Sequence, residues 1–493
     1  MDEQQKAAYN PILQGSIAKQ LLIFFFPIWF GTFFQQLYNT ADALIVGNFV
    51  GTEALAAVGA TNTLVNLLVG FFVGLSSGAA VVLAQRYGAR DGRGVQSTVH
   101  TSIGLAVVGG LVLMAVGLVG SRAALQAMNT PEDIMEDALV YLRVYFVGMV
   151  PSMIYNMGTG VLRAIGDSRR PTNFLIAASV ANIVLDLLFV AVFHWGVFGA
   201  ALATILSQVL SAALTLACLA GAEAQPYQLH LRAVRIEGRV LADIVRIGLP
   251  AGLQSVMYSV SNVIIQASIN GFGTTTVAAW TVYGKLDSIF WMTMNSLGLS
   301  VTTFSGQNFG ARQYDRVKKG AWATTGFCAG MSLALGALIL LFGAPLVRLF
   351  TQDPLVLERT LEIIRLLAPC YITYAAIEAM SGAIRGAGDA WVPMALTAGG
   401  VCGLRVLWVL WVAPGFGTLT MVLLSYPISW GVTSLLFIAY FLAGGWLRRC
   451  IRTADAAEKT AAALQGLEPA LETALQEMQP APSEPETVRT AEQ

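Results

Sequence analysis

The sequence GVLRAIGDSRRP at residues 160–171 returns as GAIRGAGDAWVP at residues 382–393, 222 positions later. The same spacing relates three more landmarks: AQRYGAR (84–90) to GQNFGAR (306–312), GTEALAAVG (51–59) to GTTTVAAWT (273–281) and, one position out of register, Pro27 to Pro250. Agreement at one spacing over four landmarks indicates an internal duplication, so we expect two similar halves.

The composition places both halves in a membrane. Of the 493 residues, 56% are hydrophobic and only 12% are charged, whereas a soluble domain has about 25% charged residues. A helix needs roughly 20 apolar residues to cross the hydrocarbon core. Twelve stretches are candidates: 21–46, 55–83, 99–120, 138–161, 172–193, 197–219, 247–270, 277–304, 320–343, 360–383, 394–413 and 417–444. We predict an all-α polytopic membrane protein of twelve transmembrane helices.

Six spans per half is an even number, so both halves face the same way across the membrane. We therefore predict two six-helix bundles related by a pseudo-two-fold axis along the membrane normal, with a cavity between them. The predicted organisation is a cytoplasmic N-terminus (1–19), an N-terminal lobe (20–222), a cytoplasmic inter-lobe loop (223–246), a C-terminal lobe (247–446) and a cytoplasmic acidic tail (447–493).

Positive charges alternate between the loops. The following basic residues are assigned to one side: Arg86, Arg90, Arg93, Arg163, Arg169, Arg170, Arg232, Arg235, Arg239, Arg312, Arg316, Lys318, Lys319, Arg385, Arg448, Arg449 and Arg452. The opposite loops offer little beyond Arg122, Arg348 and Arg359. This asymmetry favours a multi-pass protein of the plasma membrane with both termini cytoplasmic, and it explains the basic excess without a nucleic-acid partner.

The tail differs from the rest of the chain. From Thr453 to Gln493 there are eight acidic and two basic residues. Apolar residues from Leu464 to Met478 recur at helical spacing before three prolines, which predicts a short amphipathic helix followed by disorder.

Three neighbouring segments carry polar stripes at helical spacing. The stripes consist of Gln35, Asn39 and Asp42 in segment 1, Ser179, Asn182 and Asp186 in segment 5, and Thr204 and Gln208 in segment 6. Charges and amides that face lipid are costly, so we expect the stripes to converge inside the N-terminal lobe. Two carboxylates in one pocket repel each other, which favours a bound proton or small cation. The all-oxygen ligand set suits Na⁺, and it suits a proton relay equally.

The landmarks together resemble the multidrug and toxic compound extrusion (MATE) family. They are Pro27, the QQ pair at 35–36, Asn39, Asp42 and ALA at 54–56; AQxxGA at 84–89; GxxRxxGD at 160–167; and GAAxAT followed by SQ at 199–208. The resemblance covers residues 15 to about 450. It implies a secondary active antiporter that exports drugs or toxic metabolites, mainly cationic amphipathic compounds, in exchange for protons or sodium. In the DinF-like branch, the coupling-ion site would fall on Asp42, Asn182, Asp186 and Thr204.

Asn182 and Thr204 have a simpler alternative role, because polar residues often hydrogen-bond between membrane helices. The two aspartates are stronger candidates, since intramembrane carboxylates are usually functional. The second half has Trp408 at the position of Asp186 and Leu404 at that of Asn182. The ion site is therefore expected in the N-terminal lobe alone.

The C-terminal lobe has its own charged residues. Glu378 and Arg405 either form a buried ion pair or place Glu378 in the cavity to attract cations. Another branch of the family uses acidic residues in segments 7 and 10 for sodium, but Tyr258 and Tyr374 stand there. Lys285 and Asp287 are predicted to form a local anchor at the membrane interface.

Pro27 lacks an amide hydrogen and, with Gly31, is predicted to form a hinge in segment 1. We expect a monomer with no organic cofactor, and the absence of a GxxxxGK[ST] motif argues against ATP hydrolysis. A lipid-linked oligosaccharide flippase is the alternative function. That type is expected to place more cations on the cavity wall, whereas Arg405 is the one clear intramembrane arginine. An intramembrane enzyme is disfavoured because no HExxH motif occurs, and the GxSxG string at 74–78 (GLSSG) lies inside an apolar predicted helix and not at a strand-to-helix turn.

Overall fold

The computed structural model describes residues 12–128, 130–456 and 459. Within these residues the chain is helical and contains no β-strand. The helices are α1 (Ile17–Phe49), α2 (Thr52–Gly88), α3 (Gly92–Ala127), α4 (Glu132–Val147 with Met149–Ala164), α5 (Arg169–Asp186, continued by a π-helix at Leu187–Val192), α6 (Gly196–Ala220), α7 (Gly238–Asn270), α8 (Thr274–Gly310), α9 (Tyr314–Arg348), α10 (Pro354–Gly386), α11 (Trp391–Gly415) and α12 (Leu419–Leu442). We call α1–α6 the N-terminal lobe and α7–α12 the C-terminal lobe.

Each predicted segment overlaps one of these helices, which confirms the all-α class. In the described part of the chain, ten helices are long and apolar enough to span a membrane, and the two parts of α4, bent by 49°, make up to eleven. The remaining helix is α8, in which Thr, Ser, Asn and Gln dilute the apolar residues. A twelfth crossing therefore stays a prediction.

The duplication is visible in the backbone. Arg90 and Arg312, 222 positions apart, both adopt the left-handed conformation, with φ of 59° and 58°. Positive φ is uncommon outside glycine, so its recurrence at equivalent arginines shows that the same loop geometry is used twice. Gly166 and Gly388 likewise have φ of 95° and 100°, where side chains are strained.

The two lobes meet along α2 and α7. Gly74 and Gly78 on α2 face Gly248 and Gly252 on α7, and a Cβ added at Gly74 would lie 2.3 Å from the amide nitrogen of Gly252. Small residues spaced by four let two membrane helices approach closely. The two lobes approach each other closely along this seam, and it requires glycine at these positions.

A pair of equivalent hydrogen bonds joins the lobes at the end that the topology prediction assigns to the cytoplasm. The side-chain amide of Gln85 donates to the carbonyl of Gly386 at 2.8 Å, and that of Gln307 donates to the carbonyl of Ala164 at 2.6 Å. Both pairs are related by the 222-residue spacing. We call Gln85, Gln307, Ala164 and Gly386 the latch, and it accounts for the repeated AQxxGA-like motif.

The segment before α1, residues 12–16, makes further hydrogen bonds at the latched end. Arg316 of α9 donates to the carbonyl oxygens of Ile12 and Gly15, each at 3.1 Å. Its Nε donates to the side-chain oxygen of Asn308 at 3.0 Å. The chain therefore ties its own beginning to the C-terminal lobe.

Two boundaries differ from expectation. α7 begins at Gly238, inside the predicted loop 223–246, because Val240 and Ile244 are buried on one side of its first turns. A second compact unit begins at Gly444 and is helical over residues 445–456. The predicted amphipathic helix at Leu464–Met478 lies outside the described residues.

Candidate functional site

A cavity of about 880 Å³ lies between the two lobes. Its walls come from α2 and α4 on one side and from α7, α8, α10, α11 and α12 on the other. Arg163 and Arg385 line it, while the next residues along the chain, Ala164 and Gly386, accept the latch hydrogen bonds. The latch therefore closes the cavity at this end.

The two aspartates of the N-terminal lobe lie on adjacent helices, because α1 packs along α5. Asp186 is fully buried, Asn182 is 1% exposed and Asp42 is partly buried. One oxygen of Asp42, both oxygens of Asp186 and both side-chain polar atoms of Asn182 are buried without a hydrogen-bond partner among the described residues.

Unsatisfied buried polar atoms are costly, and here five of them cluster on two packed helices. α6 packs against α5 and brings Thr204, whose hydroxyl donates to the carbonyl of Ala200 at 3.1 Å. The Thr204 oxygen keeps its lone pairs for another partner. Oxygen donors of this kind fit a proton or a small hard cation.

Apolar side chains surround these polar groups. Ile45 and Val46 follow Asp42 on α1, Val190 follows Asp186, and these three side chains pack in one buried cluster. Asp186 is withdrawn from water in this environment, so its carboxylate needs a bound cation to stabilise its charge or a proton to neutralise it.

The remaining members of the polar stripes occupy different surroundings. Ser179 donates to the carbonyl of Leu175 at 2.8 Å, and Gln208 is half-buried. Gln35 and Asn39 are exposed. α1 is held by its neighbours on one side only over these turns, so the expectation that every stripe residue is enclosed does not hold for Gln35 and Asn39.

The predicted hinge residues lie inside a continuous α1. The hydroxyl of Thr172 on α5 donates to the carbonyl of Pro27 at 2.7 Å. A Cβ at Gly31 would lie 3.3 Å from the same hydroxyl oxygen. The indole of Trp29 donates to Thr293 of α8 at 2.9 Å, so this turn of α1 touches both lobes.

On the opposite wall, Glu378, Arg405, Tyr258 and Tyr374 all line the cavity. The Tyr374 hydroxyl donates to Glu378 Oε2 at 3.1 Å, and the Tyr258 and Tyr374 hydroxyls are 3.4 Å apart. In the described part of the chain no ion pair joins Glu378 to Arg405. The geometry thus agrees with the cavity alternative for these residues.

Asp287 was assigned to a local anchor, and the structure places it differently. It lines the cavity and accepts hydrogen bonds from Tyr371 (2.8 Å), Tyr283 (3.1 Å) and Trp291 (2.7 Å), while Lys285 is exposed. The sequence carried a signal for this role, since Tyr283 and Trp291 stand four residues before and after Asp287 and therefore share its helix face.

Arg163 and Arg385 were assigned to loops, but both are helical and line the cavity. Each donates to a hydroxyl one turn earlier, Thr159 and Ser381, at 3.1 Å. Arg405 is therefore not the only arginine on the cavity wall. The loop assignment failed because these arginines precede the turn glycines by only three residues.

Comparison with known proteins relates both lobes to one family of transporters. The MatE family profile matches residues 27–188 and again residues 250–411, one match in each lobe. Probable multidrug resistance protein YpnP of Bacillus subtilis is 31% identical over 375 residues, which cover 76% of this chain and 84% of that protein. Probable multidrug resistance protein YoeA of the same organism is 27% identical over 441 residues, and the alignment covers 86% of this chain and 94% of that protein.

Among solved structures, a MOP superfamily transporter from Pyrococcus furiosus superposes with a TM-score of 0.82 at 25% identity. The superposition covers 87% of this chain and 96% of that transporter. The similarity therefore extends over both lobes and is not confined to one of the repeats.

Proposed function

Because the chain belongs to the MatE family, the multidrug and toxic compound extrusion transporters, we propose that it exports small organic molecules in exchange for protons or sodium ions. Multidrug efflux is the activity that its relatives carry in their names. The observation that carries the coupling proposal is the set of buried, unpartnered oxygens of Asp42 and Asp186.

In this proposal, the coupling ion binds at the N-terminal lobe and the substrate binds in the central cavity. Asp42 and Asp186 would supply the charge, and Asn182 and Thr204 would supply neutral oxygens. Because Asp42 is on α1 and Asp186 on α5, ion binding would draw the two helices together. An ion shifts a conformational equilibrium only as far as its affinity differs between the two states.

α1 is the proposed link between ion and substrate. It carries Asp42, and its Pro27 turn contacts α5 through Thr172 and α8 through Trp29. Ion binding at Asp42 would therefore alter the contact that the Pro27 turn of α1 makes with both lobes. Closing of the latch at the cytoplasmic end and opening of the lobes at the opposite end would give alternating access. In this proposal the chain lies in the plasma membrane and both termini are in the cytoplasm.

The experiment uses the purified protein in proteoliposomes loaded with ethidium, with proton and sodium gradients imposed separately. We expect one gradient to drive ethidium movement in the wild type and Asp42→Asn to lose it. Undiminished gradient-driven transport in Asp42→Asn would remove the coupling proposal. No transport with either gradient would mean that ethidium is the wrong substrate or that the protein is not a drug exporter.

A lipid-linked oligosaccharide flippase remains the second candidate, because three arginines line the cavity: Arg163, Arg385 and Arg405. Such a protein would bind a polyprenyl pyrophosphate, and its transport of that lipid would not require an ion gradient. A binding assay with an anionic lipid carrier separates the two functions.

A further inference from the structure

Arg405 on α11 is an unusual residue in this cavity wall. Its side chain is 2% exposed, and it lines the cavity. Nε donates to the Ser429 hydroxyl at 3.3 Å, but Nη2 is buried and has no hydrogen-bond partner in the described part of the chain. A buried guanidinium that forms no direct ion pair is costly, so a ligand at this position would stabilise it.

Aromatic rings hold this guanidinium in place without neutralising it. Its Cζ lies 4.1 Å from the centroid of the Tyr426 ring and 5.9 Å from that of Trp430. Contacts of this kind stabilise a cation by the ring quadrupole. They leave Nη2 without a hydrogen-bond acceptor among the residues that the structure describes.

The carboxylates of the cavity are engaged elsewhere. Asp287 accepts three hydrogen bonds from aromatic donors, and Glu378 accepts one from Tyr374. Within the residues that the structure describes, no ion pair forms among the charged groups of the cavity, which are Arg163, Asp287, Glu378, Arg385 and Arg405. Guanidinium groups outnumber carboxylates, so the wall as a whole favours an anionic group.

We propose that Arg405 is an anion subsite and that the exported substrate carries a carboxylate or phosphate beside an aromatic ring. The planar fork of arginine matches both anions. Trp280, Trp291 and Tyr426 line the same cavity and offer faces for the ring. The inference rests on the proposed function, and it replaces the expectation of a mainly cationic substrate with that of an organic anion.

The subsite belongs to one lobe only. At the 222-residue spacing, Ile183 stands on α5 where Arg405 stands on α11. The duplicated scaffold therefore does not require an arginine here. Arg163 and Arg385 differ from Arg405, since they are repeated in both lobes and bond to a hydroxyl of their own helix.

The test measures binding by calorimetry on the purified full-length protein with three naphthalene probes. Naphthaleneacetate, naphthaleneethanol and naphthaleneethylamine share a ring and a short chain and differ in charge. We expect the wild type to bind the acetate about tenfold or more tightly than the alcohol, because a charge-assisted hydrogen bond replaces a neutral one. Equal binding of the acetate and the alcohol overturns the inference without any mutation.

Variants locate the site. Arg405→Met should weaken acetate binding about tenfold and leave alcohol binding unchanged, whereas Arg405→Lys should give an intermediate value. Arg348→Met, at an exposed arginine of α9 outside the cavity, is the control and should match the wild type. Unchanged acetate binding in Arg405→Met overturns the assignment.

Ethidium transport separates failure of this inference from failure of the proposed function. If ethidium is exported but the acetate shows no preference over the alcohol, the anion subsite is wrong and drug export stands. If the acetate binds through Arg405 but no gradient drives any transport, the subsite stands and ion-coupled export is wrong.

Discussion

The two lobes have similar backbone structures but different ionisable side chains. Where the N-terminal lobe has the buried Asp186, the C-terminal lobe has Trp408, whose indole donates to the carbonyl of Met421 at 2.8 Å. Ile265 corresponds to Asp42 at the spacing set by the two prolines, and it is 1% exposed in an apolar setting. Duplication preserved the turns and packing glycines, while the ionisable groups were placed independently in each half.

The C-terminal lobe instead places its ionisable groups on the cavity wall. Ser76 of α2 donates to the carbonyl of Asn156 at 2.9 Å, and the equivalents of these two residues are Gly298 and Glu378. A Cβ at Gly298 would lie 2.0 Å from a Glu378 carboxylate oxygen. The serine-to-glycine difference thus makes the space that the larger acid occupies.

The largest effect that this comparison predicts is at the N-terminal carboxylates. Asp186→Asn and Asp42→Asn should each abolish ion-driven efflux, since the amide is isosteric but carries no charge for the ion. Thermal stability should stay equal or rise, because an unpaired buried charge is removed. Gradient-driven transport and thermal unfolding of the same preparations check both expectations.

Asp315→Asn provides the control, because Asp315 is an exposed residue in the first turn of α9. It should transport like the wild type. Efflux that survives in Asp186→Asn would show that the two lobes do not differ in coupling as proposed.

The next effect concerns Gly298 and Glu378. Gly298→Ser should destabilise the protein by about 1–3 kcal/mol through overpacking against the acid. The double variant Gly298→Ser with Glu378→Asn recreates the Ser76 and Asn156 pair of the other lobe, so it should recover most of this loss. A thermodynamic cycle from thermal unfolding measures the coupling, and additive effects would contradict the compensation.

The sequence was sufficient for the repeat and for the helices, because both depend on patterns local to the chain or on exact spacing. It also predicted a polar cluster at Asp42, Asn182 and Asp186, whose side chains contrast with apolar neighbours, and the structure gives each of them buried atoms without a hydrogen-bond partner in the described part of the chain. It did not place Arg163 and Asp287 on the cavity wall. Which helix face meets the cavity depends on how the lobes pack, and no local pattern encodes that packing.

A smaller effect is predicted for the latch, where the two halves are nearly identical in geometry but differ in burial. Gln307 is fully buried and Gln85 is partly exposed. Loss of a hydrogen bond that leaves a buried carbonyl unsatisfied costs about 1–3 kcal/mol, and less where water can replace the donor. Gln307→Ala should therefore open the latched end more than Gln85→Ala.

Spin labels placed across the latched end would report the open population by electron paramagnetic resonance distances. Gln313→Ala, one turn beyond the latch in the loop before α9, serves as the comparison and should leave the distances unchanged. Equal shifts in the two latch variants would mean that burial does not distinguish them.

The smallest predicted effect is at the turn of α1 that carries Pro27. The Thr172 hydroxyl donates to the Pro27 carbonyl, whereas Met394 stands at the equivalent sequence position in the C-terminal lobe. Thr172→Val removes this bond at nearly constant volume and should cost about 1 kcal/mol. Met394→Leu, as the matched substitution, should cost less than this because no hydrogen bond is lost. A larger loss of stability from Met394→Leu than from Thr172→Val in thermal unfolding would show that this hydroxyl does not hold α1. The proposed link from Asp42 to the contact between the lobes would then lose this hydrogen bond as its support.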